Sequence, residues 1–133
     1  MVMIPVTDVD RSRTLYEEKV GFHLDVDHQP NDSFRVVQMT PPGSACSIVF
    51  GIGMTTAEPG SEQGTLLVVT DIEAAHQELT DRGLEVGPIH HFVEGREVDG
   101  PDPERNDYNS FARFVDPDGN TWGLQEVRSR ISG

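Results

Sequence analysis

The sequence predicts an α+β fold built from two βαβββ modules. The segment Val6-Thr7-Asp8-Val9-Asp10 returns as Val69-Thr70-Asp71-Ile72-Glu73, and each copy follows a short apolar run. Each copy also leads into a helix-like stretch that ends at a glycine, Gly21 or Gly83. Because the same strand and helix signals recur in the same order, the chain is predicted to repeat one supersecondary unit.

The first module is predicted to contain one helix and four strands. Val2, Ile4 and Val6 alternate with other residues, as in a strand. Residues 10–20 place a few apolar side chains among charged ones, a pattern typical of a surface helix, and Gly21 can supply the positive φ of a helix end. Three further strands are predicted over residues 22–26, 34–40 and 45–50.

The second module begins in the same way. Residues 65–69 are predicted to form a strand, and Asp71 caps a helix that ends at Gly83. After a short extended stretch at 84–86, residues 88–107 carry three prolines and many acids. This segment exceeds the usual connection of about 4–6 residues, which predicts a functional or mobile loop. Strands over 111–115 and 121–127, joined by a turn at 116–120, and a terminal tail at 128–133 complete the chain.

Domain organisation follows from the repeat and from the length. At 133 residues the chain has the size of one domain. Its modules are predicted to span about residues 1–51 and 64–127, with a linker at 52–63 that is rich in Gly, Thr, Pro and Ser.

Charge and cysteine content restrict the partners and the compartment. With 23 acidic and 10 basic residues the net charge is −13, which repels nucleic acid and anionic membranes. Cys46 is the single cysteine, so no intrachain disulfide can form and a reducing compartment is favoured. No apolar run reaches the roughly 20 residues of a membrane helix, and no signal peptide is evident. We therefore expect a cytoplasmic protein.

Two segments carry a family resemblance. Residues 4–10, followed by Tyr16 and by Val20-Gly21-Phe22, and residues 114–122 resemble the vicinal oxygen chelate superfamily. That superfamily includes glyoxalases, extradiol dioxygenases, fosfomycin resistance enzymes and bleomycin-binding proteins. The resemblance implies that the two modules form a barrel-like cleft and that the protein is a homodimer. One scaffold hosts many activities here, so the fold alone does not give the function.

The resemblance also implies where a metal would bind. Members with metal chemistry place one ligand on each of four strands, and the corresponding positions here are Met1, Ser47, Gly64 and Gly123. A thioether, a hydroxyl and two absent side chains are poor ligands for a divalent ion. We therefore expect no metal and no cofactor. The weak alternative is an unusual metal site made of Glu126, His90 and His91, although strand alternation turns Glu126 away from Gly123.

Six residues are candidates for the cleft. Arginines on a concave sheet face commonly bind carboxylates or phenolates, and aromatic or amide side chains line pockets for planar ligands. His91 and Tyr108, from the predicted long loop, are the candidate acid–base residues. The ligand-binding candidates are Arg35, Phe111, Arg113 and Gln125.

The favoured function is metal-independent binding of a small aromatic or antibiotic-like molecule, for sequestration or transport, as in bleomycin-binding proteins. The alternative is a glyoxalase- or dioxygenase-like enzyme, an isomerase or lyase, that uses the loop histidine or tyrosine or an unusual metal site. The sequence does not decide whether the protein is an enzyme.

Overall fold

The computed structural model describes residues 1–129, so residues 130–133 of the predicted terminal tail lie outside the described part. It contains two mixed sheets and few helices, as expected of the predicted α+β class. The chain divides into two compact units, one of residues 1–63 with 115–120 and the other of residues 64–114 with the chain from Thr121 onward. In the described part the strands are β1 (Val2–Met3), β2 (His23–Asn31), β3 (Phe34–Thr40), β4 (Ile48–Ile52), β5 (Thr65–Val69), β6 (His90–Val93), β7 (Arg96–Asp99), β8 (Phe111–Val115) and β9 (Thr121–Glu126).

The first sheet has the strand order β1-β4-β3-β2. Strand β1 runs parallel to β4, whereas β3 is antiparallel to both of its neighbours. Val37, Met39 and Phe50 are fully buried, so the core of this unit lies on one face of β3 and β4.

The first helix extends close to the limits predicted from sequence. It begins as α1 (Val9–Thr14), where the Asp8 carboxylate accepts a hydrogen bond from the Arg11 amide. It continues as a π-helical turn over Leu15–Val20 and ends at Gly21, whose φ of 84° only glycine adopts readily. Tyr16, in the π-helical turn, is fully buried, and its hydroxyl donates to Asp116 at 2.8 Å.

The second sheet has the order β5-β9-β8-β6-β7. Four of its strands repeat the neighbour order of the first sheet, with β5 parallel to β9 as β1 is to β4. Helix α2 (Ile72–Asp81) follows β5 and is capped by Asp71, which accepts from two backbone amides. The fifth strand, β7, lies outside β6 at the edge of the sheet and has no counterpart in the first sheet.

The prediction of a long loop at 88–107 is wrong over half of its length. Residues 90–99 form a β-hairpin, in which Val93 pairs with Arg96 across the two-residue turn Glu94-Gly95. Both turn residues have positive φ, 50° and 78°, as a tight hairpin turn of primed type requires. Glutamate is an unusual residue at the first turn position, where Asn or Asp is the common signal, so the hairpin was not recognised. The extended stretch predicted at 84–86 forms no strand.

The two faces of the second sheet differ in what covers them. On β9, Trp122, Leu124 and Glu126 are buried, and the Glu126 carboxylate accepts from the Ile72 amide at the start of α2. The alternating residues of β9, among them Gly123 and Gln125, therefore face away from the helix. We call this side of the second sheet the open face.

Candidate ligand-binding site

A cavity of about 270 Å³ lies on the open face of the second sheet. It is slightly smaller than the roughly 300 Å³ at which pockets for drug-sized ligands begin, so it suits a small molecule or one part of a larger one. The residues that line it include Gly64, Leu66, Phe92, Phe111, Arg113 and Gly123.

Glycines leave the backbone of the cavity uncovered at two places. Gly64 has a φ of 80°, and a Cβ atom there would meet no atom within 4 Å. Gly123 is paired with Leu66 on the neighbouring strand, and a Cβ atom at Gly123 would lie 2.7 Å from the Leu66 Cδ2 atom. Any side chain at position 123 would therefore displace the Leu66 side chain, which lines the cavity.

Aromatic rings border the cavity on the β6 and β8 side. The rings of Phe92 and Phe111 meet edge to face, with centroids 5.7 Å apart. The imidazole of His90 stacks on Phe111 at 5.9 Å and contacts Phe92 edge to face at 5.7 Å. These rings offer both faces and edges to a planar ligand, which is the geometry that aromatic pairs prefer.

A charged group adjoins this aromatic cluster. Arg113 Nη1 donates to Glu97 Oε1 at 3.2 Å, and both side chains are more than half exposed. The same carboxylate oxygen lies 3.7 Å from His90 Nε2. His90 is 4% exposed, and its Nε2 atom has no hydrogen-bond partner, which is uncommon for a buried polar atom. Its Nδ1 atom lies 3.3 Å from the Pro88 carbonyl oxygen, which can only accept a hydrogen bond.

Several of the candidates predicted from sequence lie at or near the cavity. Phe111 and Arg113 line it, and Gln125 is half-buried on the open face of β9, two residues from Gly123. The two acid–base candidates, His91 and Tyr108, occupy different surroundings. His91 is buried and its Nδ1 lies 2.7 Å from the Gly100 carbonyl oxygen, while Tyr108 is 58% exposed, with a φ of 70°.

Arg35 lies elsewhere than predicted. Its guanidinium binds Asp27 in a bidentate manner, at 2.9 and 2.8 Å, and also binds Asp10 of α1 at 2.8 Å. Val37 and Met39, which share its face of β3, are fully buried, so this face is covered by the helix. Arg35 and Arg113 looked equivalent by sequence, but a difference of one residue in strand register moves a side chain to the other face. The hydrogen bond from Arg35 also holds the pKa of Asp27 below its ordinary value.

The residues at the positions that the resemblance assigns to metal ligands do not fit a metal ion. Met1, Ser47, Gly64 and Gly123 offer no imidazole, carboxylate or thiolate. Within residues 1–129, no three His, Cys, Asp or Glu side chains are grouped as a metal site would require. Glu126, His90 and His91, the alternative set, are accordingly not grouped in this structure. Glu126 instead accepts two hydrogen bonds from Arg105, at 3.0 and 2.7 Å.

Sequence reasoning missed three residues of this region. Phe92 and Glu97 lie in the hairpin that was predicted to be a loop, so neither could be assigned to a face. The spacing of His90 and Phe92, two residues apart, would have placed both on one face had a strand been predicted. Leu66 lies on β5 beside Gly123, and its 47% exposure would have been unexpected for a leucine in a predicted strand.

Comparison with known proteins identifies the family. The model of the Glyoxalase/Bleomycin resistance protein/Dioxygenase superfamily matches residues 1–124 of the chain. The chain belongs to this superfamily. The fold agrees, since the chain forms two mixed sheets with few helices and the solved structures that it matches include members of the same superfamily.

Three proteins that the chain matches include an antibiotic binding protein and an uncharacterized protein. The chain is 34% identical to TnmS3, an antibiotic binding protein from Streptomyces sp. CB03234, with a TM-score of 0.70 over 93% of this chain and 90% of that one. It is 27% identical to a superfamily member from Sphaerobacter thermophilus DSM 20745, with a TM-score of 0.70 and coverage of 95% and 94%. It is also 26% identical to the uncharacterized protein YetH of Bacillus subtilis, over 94% of both chains.

In the part of the chain that the structure describes, no helix is both long and apolar enough to cross a bilayer.

Proposed function

We propose that this protein binds a small aromatic or antibiotic-like molecule in the cavity of the second sheet, without a metal, and thereby sequesters or carries it. The observation that carries the proposal is an apolar cavity with an aromatic border and with glycines at two positions where metal-dependent members place ligands. Missing side chains at Gly64 and Gly123 remove the metal donors and leave room for a ligand.

The likeness to an antibiotic binding protein supports this proposal. A planar ligand would pack against Phe92 and Phe111, whose edge-to-face arrangement leaves part of Phe92 exposed. The homodimer and the cytoplasmic location remain predictions from sequence.

A ligand screen followed by a matched pair of variants tests the proposal. Aromatic acids, quinones, thiol conjugates and antibiotics are tested for a rise in melting temperature, because a ligand that binds only the folded state raises it. For each compound that binds, affinity is then compared in Phe92→Ala and Val93→Ala. These neighbours are similarly exposed, at 36% and 44%, but adjacent strand residues face opposite sides.

We expect Phe92→Ala to weaken binding about ten-fold, as loss of an aromatic contact in a binding site commonly does. Val93→Ala should leave the affinity unchanged. Equal affinities in the two variants would show that the ligand binds elsewhere. A stoichiometric divalent metal in protein purified without chelators would contradict metal-independent binding.

An acid–base enzyme is the second candidate, and one observation favours it. The buried Nε2 atom of His90 has no hydrogen-bond partner and lies beside the Glu97 carboxylate, as a proton-transferring histidine would. Mass spectrometry of a ligand after prolonged incubation separates the two functions. Recovery of the unchanged ligand supports binding, whereas conversion that disappears in His90→Gln would establish an enzyme.

A further inference from the structure

The Glu97 carboxylate occupies an unusual position beside the cavity. One of its oxygen atoms, Oε1, is 3.2 Å from Arg113 Nη1 and 3.7 Å from His90 Nε2. Arg113 lines the cavity, and His90 stacks on Phe111, which also lines it. A single exposed carboxylate is thus placed against a cationic side chain of the cavity wall.

Glu97 owes this position to the added hairpin. It lies on β7, the edge strand that has no counterpart in the first sheet, and it is paired in register with Phe92 of β6. The tight turn at Glu94-Gly95 fixes that register, because a two-residue loop permits only one pairing of the flanking strands. The hairpin therefore supplies the cavity with both an aromatic ring and an acid.

Resting on the function proposed above, we propose that the cavity selects aromatic ligands that carry an acidic oxygen, a carboxylate or a phenolate. In this scheme Glu97 is an internal competitor that pairs with Arg113 until the ligand's own anion displaces it. A ligand of the same shape without a negative charge gains nothing from Arg113, because it cannot replace the carboxylate.

The geometry makes such an exchange feasible. The side chains of Arg113 and Glu97 are 63% and 51% exposed. Ion pairs between side chains as exposed as these contribute little to the free energy of folding. An anion held against Phe92 and Phe111 is more shielded from water than Glu97 is, and charge–charge attraction is stronger where water is excluded. The planar guanidinium also matches a carboxylate in a two-point contact, whereas Glu97 makes one hydrogen bond with it.

Two probes of nearly the same shape, one anionic and one neutral, test the selection. The dissociation constants of 2-naphthoate and of the neutral 2-naphthamide are measured by calorimetry at pH 7.5 for the 133-residue protein and four variants. Arg113→Gln should weaken naphthoate binding about ten-fold, through loss of a charge-assisted hydrogen bond. Glu97→Gln should tighten naphthoate binding about two- to five-fold, because the competing charge is gone.

The double variant Glu97→Gln/Arg113→Gln should bind naphthoate no better than Arg113→Gln alone, since relief of competition requires the arginine. Naphthamide affinity should be the same in every variant. Glu94→Gln is the matched control, because it removes one negative charge from the turn of the same hairpin. It should leave both affinities unchanged, which separates competition at Arg113 from a general effect of net charge.

The outcomes distinguish this inference from the function on which it rests. Equal affinity of the protein for both probes, or tighter naphthoate binding in Glu97→Gln that persists without Arg113, would overturn the anion selection and leave ligand binding standing. Failure of both probes, together with failure of every compound in the aromatic screen, would overturn the proposed function itself.

Discussion

The contact between Arg105 and Glu126 gives the most direct test of how the second unit is held together. Glu126 is completely buried, and its carboxylate accepts two hydrogen bonds from Arg105 and one from the Ile72 amide. Arg105 also donates to Glu73 of α2 at 2.7 Å. The guanidinium therefore joins the segment before β8 to both the helix and the last strand.

Replacement of Arg105 by methionine should destabilise the protein strongly. Removal of one partner of a buried ion pair costs about 3–5 kcal/mol, because the other charge stays buried without compensation. The Arg105 side chain is 22% exposed, and the Ile72 amide still donates a hydrogen bond to Glu126, so we expect the lower end of that range, about 3 kcal/mol. For a chain of this length the melting temperature should fall by roughly 10 °C.

The pH dependence of this loss provides an internal check. The hydrogen bond from Arg105 lowers the pKa of Glu126 from its ordinary value of 4.5, against the effect of burial. A group whose pKa is lowered on folding stabilises the fold above its ordinary pKa, and this contribution is lost as the pH falls through the folded-state value. The difference between the wild type and Arg105→Met should therefore be full at pH 7 and shrink progressively below about pH 4.5.

Urea unfolding at pH 7 and at pH 3 measures both effects, with Arg11→Met as the control. Arg11 is 51% exposed and its contact with Asp118 is 3.7 Å long, so its loss should cost less than about 0.5 kcal/mol. If Arg105→Met is no less stable than Arg11→Met at pH 7, or if its deficit is the same at pH 3, the stabilisation assigned to Glu126 is wrong.

Three further variants test contacts in the first unit. Tyr16→Phe removes a buried hydroxyl that donates to Asp116 at 2.8 Å, and urea unfolding should show a loss of about 1–3 kcal/mol. Gly51→Ala places a Cβ atom 1.8 Å from the Arg35 carbonyl oxygen, so thermal unfolding should show a loss of about 2 kcal/mol or more. Asp27→Asn should destabilise the protein at pH 7. Because Arg35 lowers the pKa of Asp27, this destabilisation should diminish below about pH 3.8, and a destabilisation independent of pH would contradict that cause.

The repeat allowed the fold to be predicted from the sequence, whereas the hairpin at 90–99, which departs from the repeat, was not predicted. Asp8 and Asp71 both cap helices, and Gly21 ends the first helix with positive φ, as local sequence preference dictates. The hairpin at 90–99 interrupts the second module, and its Glu94-Gly95 turn is specified by backbone geometry more than by residue type. The prolines and acids around it favour a loop when only composition is considered.

The same contrast explains which site residues were found. Phe111 and Arg113 could be placed because β8 is bounded by a clear turn, and alternation from it is reliable. Arg35 was matched to Arg113 only by its approximate place on the third strand of its module. In β3 it alternates in step with the buried Val37 and Met39, so it lies on the covered face. Facing direction therefore depends on the parity of each strand, which approximate alignment of two modules does not give.

The two glycines that line the cavity affect the space inside it as well as the set of possible metal ligands. Gly64 and Gly123 were singled out because neither can bind an ion, a property that the sequence shows directly. The structure adds that a Cβ atom at 123 would lie 2.7 Å from Leu66 Cδ2, so a histidine or glutamate there would displace Leu66 and occupy the cavity. A donor side chain at position 123 would therefore compete for space with the ligand of the proposed site, and glycine avoids that competition.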